Sequence, residues 1–375
     1  MSQASIESLY CHLTKIISET NGISLRDTLV LCLSDSSLEK NNRQLINEFI
    51  EKLNDFQANK IKLDILISHP VAKALFLFFK NFPLSFSEEH IHLTGSLNAD
   101  FIFEKIIPLL KGPHGSVYEA KLKEVYGDEY QGIKNKNDVQ KLIQLASGDE
   151  FARYLKILYL PKLVLINREA HKDAAYHMAE ELFTKFNVGK IRLKFTLSRA
   201  STTSDEQIPG IDQITEEDVV LGLFEGFMAF KKVQPTFDFI LSPCFRKEAF
   251  FYDGVNFKNK QEHFNHQVKA LLEIIEKYPE LKDRLCEVDT VGDEKELYRK
   301  THFNDMKQGF RKLQYRGFAI RSHHGETWQT LKKGVQAVDN AMNIWRIDTL
   351  EHGLSLGINP NFYFHQIYQS ITEAN

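Results

Sequence analysis

Apolar positions recur at helical spacing over the first 82 residues. Leu45, Ile46, Phe49, Ile50 and Leu53 fall on one face of a stretch opened by Ser37-Leu-Glu-Lys, and a second run, Val71 to Phe79, stops before Asn81-Phe-Pro83. Residues 1–82 are therefore expected to be a helical extension. From Ser85 the pattern changes. Short apolar or alternating runs at Glu89–Thr94, Lys190–Leu197, Phe237–Ser242, Cys286–Thr290, Gly317–Ser322 and Trp345–Leu350 predict strands. Longer amphipathic stretches at Arg168–Phe186, Glu216–Lys232, Gln261–Lys277, Lys295–Gln314 and Gln329–Asn343 predict helices between them. Strands alternating with helices imply a parallel sheet with crossover helices. The pattern alone leaves a barrel and an open doubly wound sheet as alternatives. Two non-periodic stretches, Lys111–Asn137 and Ala200–Gly210, read as loops.

Composition narrows the classes. The 375 residues suit one α/β barrel with an appendage, and 43% hydrophobic residues can fill its core. The 28 phenylalanines read as core filling. A formal net charge of -3 supplies no global basic field for nucleic acid or acidic membranes. Cys11, Cys32, Cys244 and Cys286 are scattered, which argues against a zinc ribbon or a disulfide scaffold and suits a reducing compartment. The N-terminus lacks a signal-peptide pattern, and the most apolar run is too short to span a bilayer. The expectation is a soluble, cytoplasmic protein.

Chemistry concentrates at predicted strand ends. His90 and His92 stand at i and i+2, so on a strand both imidazoles face one space, a natural start for a metal site. Alone, H-x-H is a weak signal among 14 histidines. Arg321-Ser-His323-His324-Gly325-Glu326 ends the fifth candidate strand, and Gly325 permits a tight turn. Glu326 would sit beside whatever His323 binds, where a shielded carboxyl can act as a general acid. His324 should point away from His323, as a packed or exposed histidine rather than a ligand. Glu351-His352-Gly353 ends the sixth, and Asp289-Thr-Val-Gly292-Asp293-Glu294 follows the fourth. Carboxyl ends of parallel barrel strands converge on one face, where such enzymes keep their chemistry.

The order H-x-H, D-x-x-G-D-E, H-x-G-E and H-G resembles the adenosine deaminase family. Leu93-Thr94-Gly95-Ser96-Leu97 and Phe239-Ile-Leu-Ser-Pro-Cys244-Phe-Arg246 are similar to that family's opening motif and third strand. The likeness covers roughly residues 86–360. It implies a (β/α)8 TIM-type barrel over 83–375, with about strands one to six present. It implies zinc held by His90, His92 and His323, with Glu326 as proton donor to the purine ring. It implies His352 holding the attacking water and Gly292 and Thr94 meeting a purine nucleoside. Zinc lowers the pKa of bound water from ~15.7 to about 7, which makes hydroxide available at neutral pH.

Three departures stand out. The family has an acidic residue where Thr94 stands, so the sugar or phosphate on the substrate is open. Extra residues separate Arg346 from His352 where the family has R-I-G-H-G. The family's last zinc ligand is an aspartate of an S-x-N-x-D-D motif, which this sequence lacks, and 23 residues follow His352 where two more βα units need roughly 60. The sequence therefore reads as a fragment, expected by itself to bind zinc weakly and to deaminate adenosine poorly. A zinc hydrolase of the wider amidohydrolase type acting on another C–N bond, and a truncated homologue without turnover, are the alternatives.

Overall fold

In the computed structural model, which describes residues 3–19, 24–58, 60–145, 151–197 and 214–374, the helical spacing near the start becomes five helices. These are α1 (Gln3–Glu19), α2 (Leu25–Ser34), α3 (Lys40–Gln57), α4 (Leu63–Ile67) and α5 (Pro70–Lys80). Leu45, Ile46 and Phe49 of α3 are buried together with Leu9, Leu13, Leu29, Val71 and Ala74. Ser24 caps α2 through Asp27 N–H, and His69 caps α5 through Val71 N–H. By its contacts the chain divides into two units: one takes residues 1–87 and 181–189, and the other takes most of the remainder.

The second unit carries most of the sheet, the first two residues of β1 and of β2 and the end of α11 being assigned to the first unit. Its elements run β1 (Phe86–His92), α6 (Ala99–Lys111), α7 (Gly115–Tyr126), α8 (Lys136–Ile143), α9 (Phe151–Ile157), α10 (Tyr159–Leu163), α11 (Arg168–Phe186), β2 (Val188–Thr196), α12 (Glu216–Val233), β3 (Asp238–Arg246), α13 (Lys260–Lys277), β4 (Glu287–Val291), α14 (Lys300–Tyr315), β5 (Ala319–His324), α15 (Leu331–Asn340), β6 (Thr349–His352), α16 (Leu354–Gly357) and α17 (Pro360–Ala374). The six strands are parallel, lie in chain order β1 to β6, and the sheet is curled. A doubly wound sheet reverses its strand order part-way. A strictly sequential, curled order is that of a partial barrel.

Alternation along the strands separates two environments. Ile191, Leu193 and Phe195 of β2 and Phe239, Leu241 and Phe245 of β3 are buried and apolar, and Phe227 of α12 lies 4.9 Å from Phe239, ring centre to ring centre. The intervening residues are polar: Arg192 and Lys194 on β2, Glu287 and Asp289 on β4, Arg321 and His323 on β5, Glu351 on β6. The pairing of Lys194 with Ser242, of Cys244 with Asp289, and of His323 with Glu351 stacks these residues on one side of the sheet.

Three boundaries differ from the sequence expectation. Lys111–Asn137 is not a loop: α7 lies within it and buries Tyr118, Leu122 and Tyr126, one helical turn apart, under a polar exterior that masks the period. The sixth strand starts at Thr349, because Trp345 ends a π-helical turn, fully buried, with its indole N–H donating to Phe303 O at 2.8 Å. α14 starts at Lys300, since residues 295–299 are turns. Ala200–Gly210 lies outside the described residues. No described helix is long and apolar enough to cross a membrane.

Candidate metal centre

The last residues of β1 and β5 bring three imidazoles to one point. His90 Nε2 lies 3.2 Å from His92 Nε2 and 3.1 Å from His323 Nε2, and His92 Nε2 lies 3.2 Å from His323 Nε2. Three ligands ~2.0–2.1 Å from one ion at tetrahedral angles sit about 3.3–3.4 Å apart, so the triangle has nearly the size a zinc ion needs.

The protons decide whether these are hydrogen bonds or lone pairs. The Nδ1–H of His90 donates to Glu351 Oε2 at 2.6 Å, and the Nδ1–H of His323 donates to Asp289 Oδ1 at 3.0 Å. Burial opposes ionisation of Asp289, but the hydrogen bond from His323, together with the charge and hydrogen bond of Lys194, holds its carboxyl below the usual carboxylate range. Burial likewise opposes ionisation of Glu351, and His90, Lys194 and Arg321 hold it well below the usual carboxylate range. Both carboxylates are thus acceptors and both Nδ1 atoms carry hydrogen, so with one proton per ring the Nε2 atoms of His90 and His323 present lone pairs to each other. Burial, with His323 and His90 beside it, pushes His92 down to about 3, so it is also neutral. Converging lone pairs repel in the absence of a cation, and carboxylate-oriented imidazoles are the usual partners of a metal. The donor set therefore fits zinc.

His352 joins the cluster in an unexpected way. Glu351 points to the sheet's polar side, so strict alternation would send His352 to the other. Instead His352 has φ 74, a left-handed conformation rare outside glycine, and its ring centre lies 4.9 Å from that of His90 and 5.0 Å from that of His323. Ligand atoms of His90, His323 and His352 also lie within 4.8 Å of one another. That is a looser set than the triangle, and the triangle is the better match to metal–ligand lengths. His352 Nε2 is 3.5 Å from Glu326 Oε2, and the Glu326 side chain is 44% exposed. The two thus flank the imidazoles on the solvent side.

The loop that carries Glu326 is tightly held. Gly325 has φ +71, where a side chain would be strained. The Glu294 carboxylate accepts the backbone N–H of Gly325 at 2.8 Å and those of Glu326 and Thr327. Buried Lys247 donates to His323 O, and burial lowers its pKa despite Glu294 4.0 Å away. His324 is buried and turned away from the triangle: it bonds Ser322 at 2.7 Å and packs on Trp345.

The two expected substrate residues are less directly placed. Thr94 lies half-buried in the turn after His92, at the mouth formed by β1. Gly292 follows β4 with φ +109, and the Glu248 carboxylate packs against it while accepting Asp293 N–H at 3.1 Å. Roles for Asp289, Glu351, Lys194, Arg321, Glu294 and Lys247 do not follow from the motifs. For Asp289, Glu351, Lys194 and Arg321 the signal is charge at alternate positions of strands covered by helices, where apolar residues are expected; Glu294 and Lys247 lie just past strand ends and carry no such signal.

No protein-family model matches the chain, and no curated protein matches it.

Proposed function

We propose that this chain carries the centre of a zinc-dependent hydrolase that deaminates an adenine nucleoside or a close analogue, on six strands of a (β/α)8 barrel. The observation that carries the reading is the His90–His92–His323 triangle, with lone pairs converging at the carboxyl ends of β1 and β5. Three protein ligands and one open position are the usual composition of a catalytic zinc site. Zinc held there supplies the Lewis acidity that makes hydroxide available from water near neutral pH.

The chain's own groups supply the rest. Glu326, exposed at the rim, donates a proton to the ring nitrogen beside the carbon under attack. His352, 3.5 Å from Glu326, accepts a hydrogen bond from the attacking water and orients it. The water oxygen bonds to the ring carbon and gives one proton through His352 to replace the one Glu326 donated, the C–N bond breaks, and the remaining hydroxyl proton leaves with the amino group as ammonia. Asp289 and Glu351 keep the His323 and His90 rings in the donor tautomer. The choice of a purine rests on the motif order His90-x-His92, Asp289-x-x-Gly292, His323-x-Gly325-Glu326 and His352-Gly353.

The test is cobalt or zinc titration of the purified chain, followed by ammonia release from adenosine. Stoichiometric metal uptake, with metal-dependent ammonia release lost in Glu326→Gln, supports the reading. Metal uptake without purine turnover would support the metal centre alone and favour a zinc hydrolase of another C–N bond or a homologue without turnover. Absence of metal uptake would overturn it.

A further inference from the structure

Lys194 is the least expected charge in the sheet: its ammonium is fully buried, with both neighbours on its strand apolar. It donates to Asp289 Oδ2 and, at 3.1 Å, to Glu351 Oε1. Each of these carboxylates uses its other oxygen for a different histidine: Asp289 Oδ1 for His323, and Glu351 Oε2 for His90. The contacts close a ring from His90 through Glu351, Lys194, Asp289 and His323 back to His90, whose Nε2 lies 3.1 Å from that of His323. Five strands contribute to it: β1, β6, β2, β4 and β5.

We propose that Lys194 is a positioning residue that locks the two carboxylates, and through them the His90 and His323 rings, into the geometry that holds the metal. This rests on the zinc reading above. Three physical points support it. A carboxylate shared between an imidazole N–H and a second donor has its orientation fixed at both oxygens, so the ring it holds cannot turn. Two buried carboxylates this close repel unless a cation lies between them, and Lys194 is the cation that touches both. Arg321 also binds Glu351, but it has no bond to Asp289, so it cannot couple the two histidines. A lysine that served only to neutralise charge could contact either carboxylate; this one bridges both.

The role predicts an effect on metal affinity from a residue that is not a ligand. In a competition titration of Co2+ against a chromophoric chelator, Lys194→Met, checked for native circular dichroism, should bind the ion about 10–100-fold more weakly than the parent chain. Lys194→Arg, which keeps a cation able to reach both carboxylates, should recover most of the loss. Unchanged affinity in a folded Lys194→Met protein would overturn the role while leaving the metal site intact. If Lys194→Met does not fold, the same titration on Lys194→Gln, which keeps a donor and most of the volume, decides. A parent chain that takes up no Co2+ would overturn the metal reading and this role together. The Co2+ absorption band adds a readout independent of turnover: its shape should change in Lys194→Met if the imidazoles have lost their fixed directions, and stay the same if Lys194 acts only on stability.

Discussion

Two buried histidines, one in each unit of the chain, show how a single residue type is committed to different work. His69, 7% exposed, lies at the start of α5. Its Nδ1 accepts Val71 N–H at 3.3 Å, its ring rests 5.3 Å from Phe49, and burial lowers its pKa despite Glu48 nearby. His323, 5% exposed, has the opposite polarity: its Nδ1 donates to a carboxylate, and its Nε2 lone pair faces two further imidazoles. Burial is nearly equal, so burial does not separate cap from ligand. The partner at Nδ1 does. A backbone N–H there uses up the lone pair inside the fold, whereas an anion there frees the Nε2 lone pair for a cation.

The strongest way to break this contrast is to remove each ring. His323→Ala should abolish stoichiometric Co2+ or Zn2+ binding and turnover together, because two imidazoles do not hold a catalytic zinc. His69→Ala should leave metal binding intact and cost roughly 0.5–2 kcal/mol, as for loss of a helix cap. Metal analysis and urea unfolding of both variants test this. A His323→Ala protein that still binds one equivalent would remove His323 from the site.

Glu326→Gln sharpens the contrast from the solvent side. In the complete protein it should retain the metal and lose about 10²–10⁴-fold in turnover, since an amide cannot give up a proton as a carboxylic acid does. Loss of metal in this variant would instead mark Glu326 as a ligand. Near-normal turnover would remove it from the chemistry.

The N-terminal helices can be probed without touching the triangle. Phe49 is 3% exposed among Leu45, Ile46, Val71 and Ala74, and Phe49→Ala should cost about 3–5 kcal/mol of stability through the cavity it leaves. The Co2+ affinity of the folded variant should match that of the parent. A weakened site in a well-folded Phe49→Ala protein would contradict the separation of core packing from metal binding.

Much of the fold could be read in advance because local and long-range signals agree. All six strand runs overlap the observed strands, and α11 occupies the residues its period predicts. His90 and His92 could be paired on one face by alternation alone. Other parts needed the register of neighbouring strands. That Asp289 serves His323 depends on the pairing of β4 with β5, and that Glu351 serves His90 depends on the curl that brings the edge strands β1 and β6 together, neither of which the local sequence encodes. The direction of His352 depends on one positive backbone angle, which alternation along a strand does not anticipate. The helical period of α7 is faint in the sequence because its buried positions are Gly115, Tyr118, Leu122 and Tyr126, one glycine and two tyrosines beside charged residues.

A third buried histidine tests the smallest effect. His263 lies on α13 in the same unit as the triangle, yet it is built like His69. Its Nδ1 accepts Asp253 N–H at 3.2 Å, and its ring stacks on Phe257 at 4.7 Å and 11°. Burial, reinforced by the charge of Lys260 and by His266 and opposed by Asp253, lowers its pKa from 6.5 to about 4. The unfolded chain takes up a proton near pH 6.5, and the folded ring takes it up only near 4. Between those values the unfolded state binds more protons, so the stability His263 contributes is present above pH 6.5 and is lost as the pH falls toward 4. After discounting for the solvent that reaches the ring, the loss by pH 5 is on the order of 1 kcal/mol. Acid weakens other groups as well, so the measurement has to be a difference. His263→Asn keeps a side-chain oxygen for the Asp253 N–H and has no proton to gain. Urea unfolding at pH 7 and pH 5 should therefore show the parent chain losing more stability than His263→Asn over that interval. Equal losses would mean that the ring is not held neutral by its surroundings, and that acceptance of a backbone N–H does not mark a histidine as part of the packed interior.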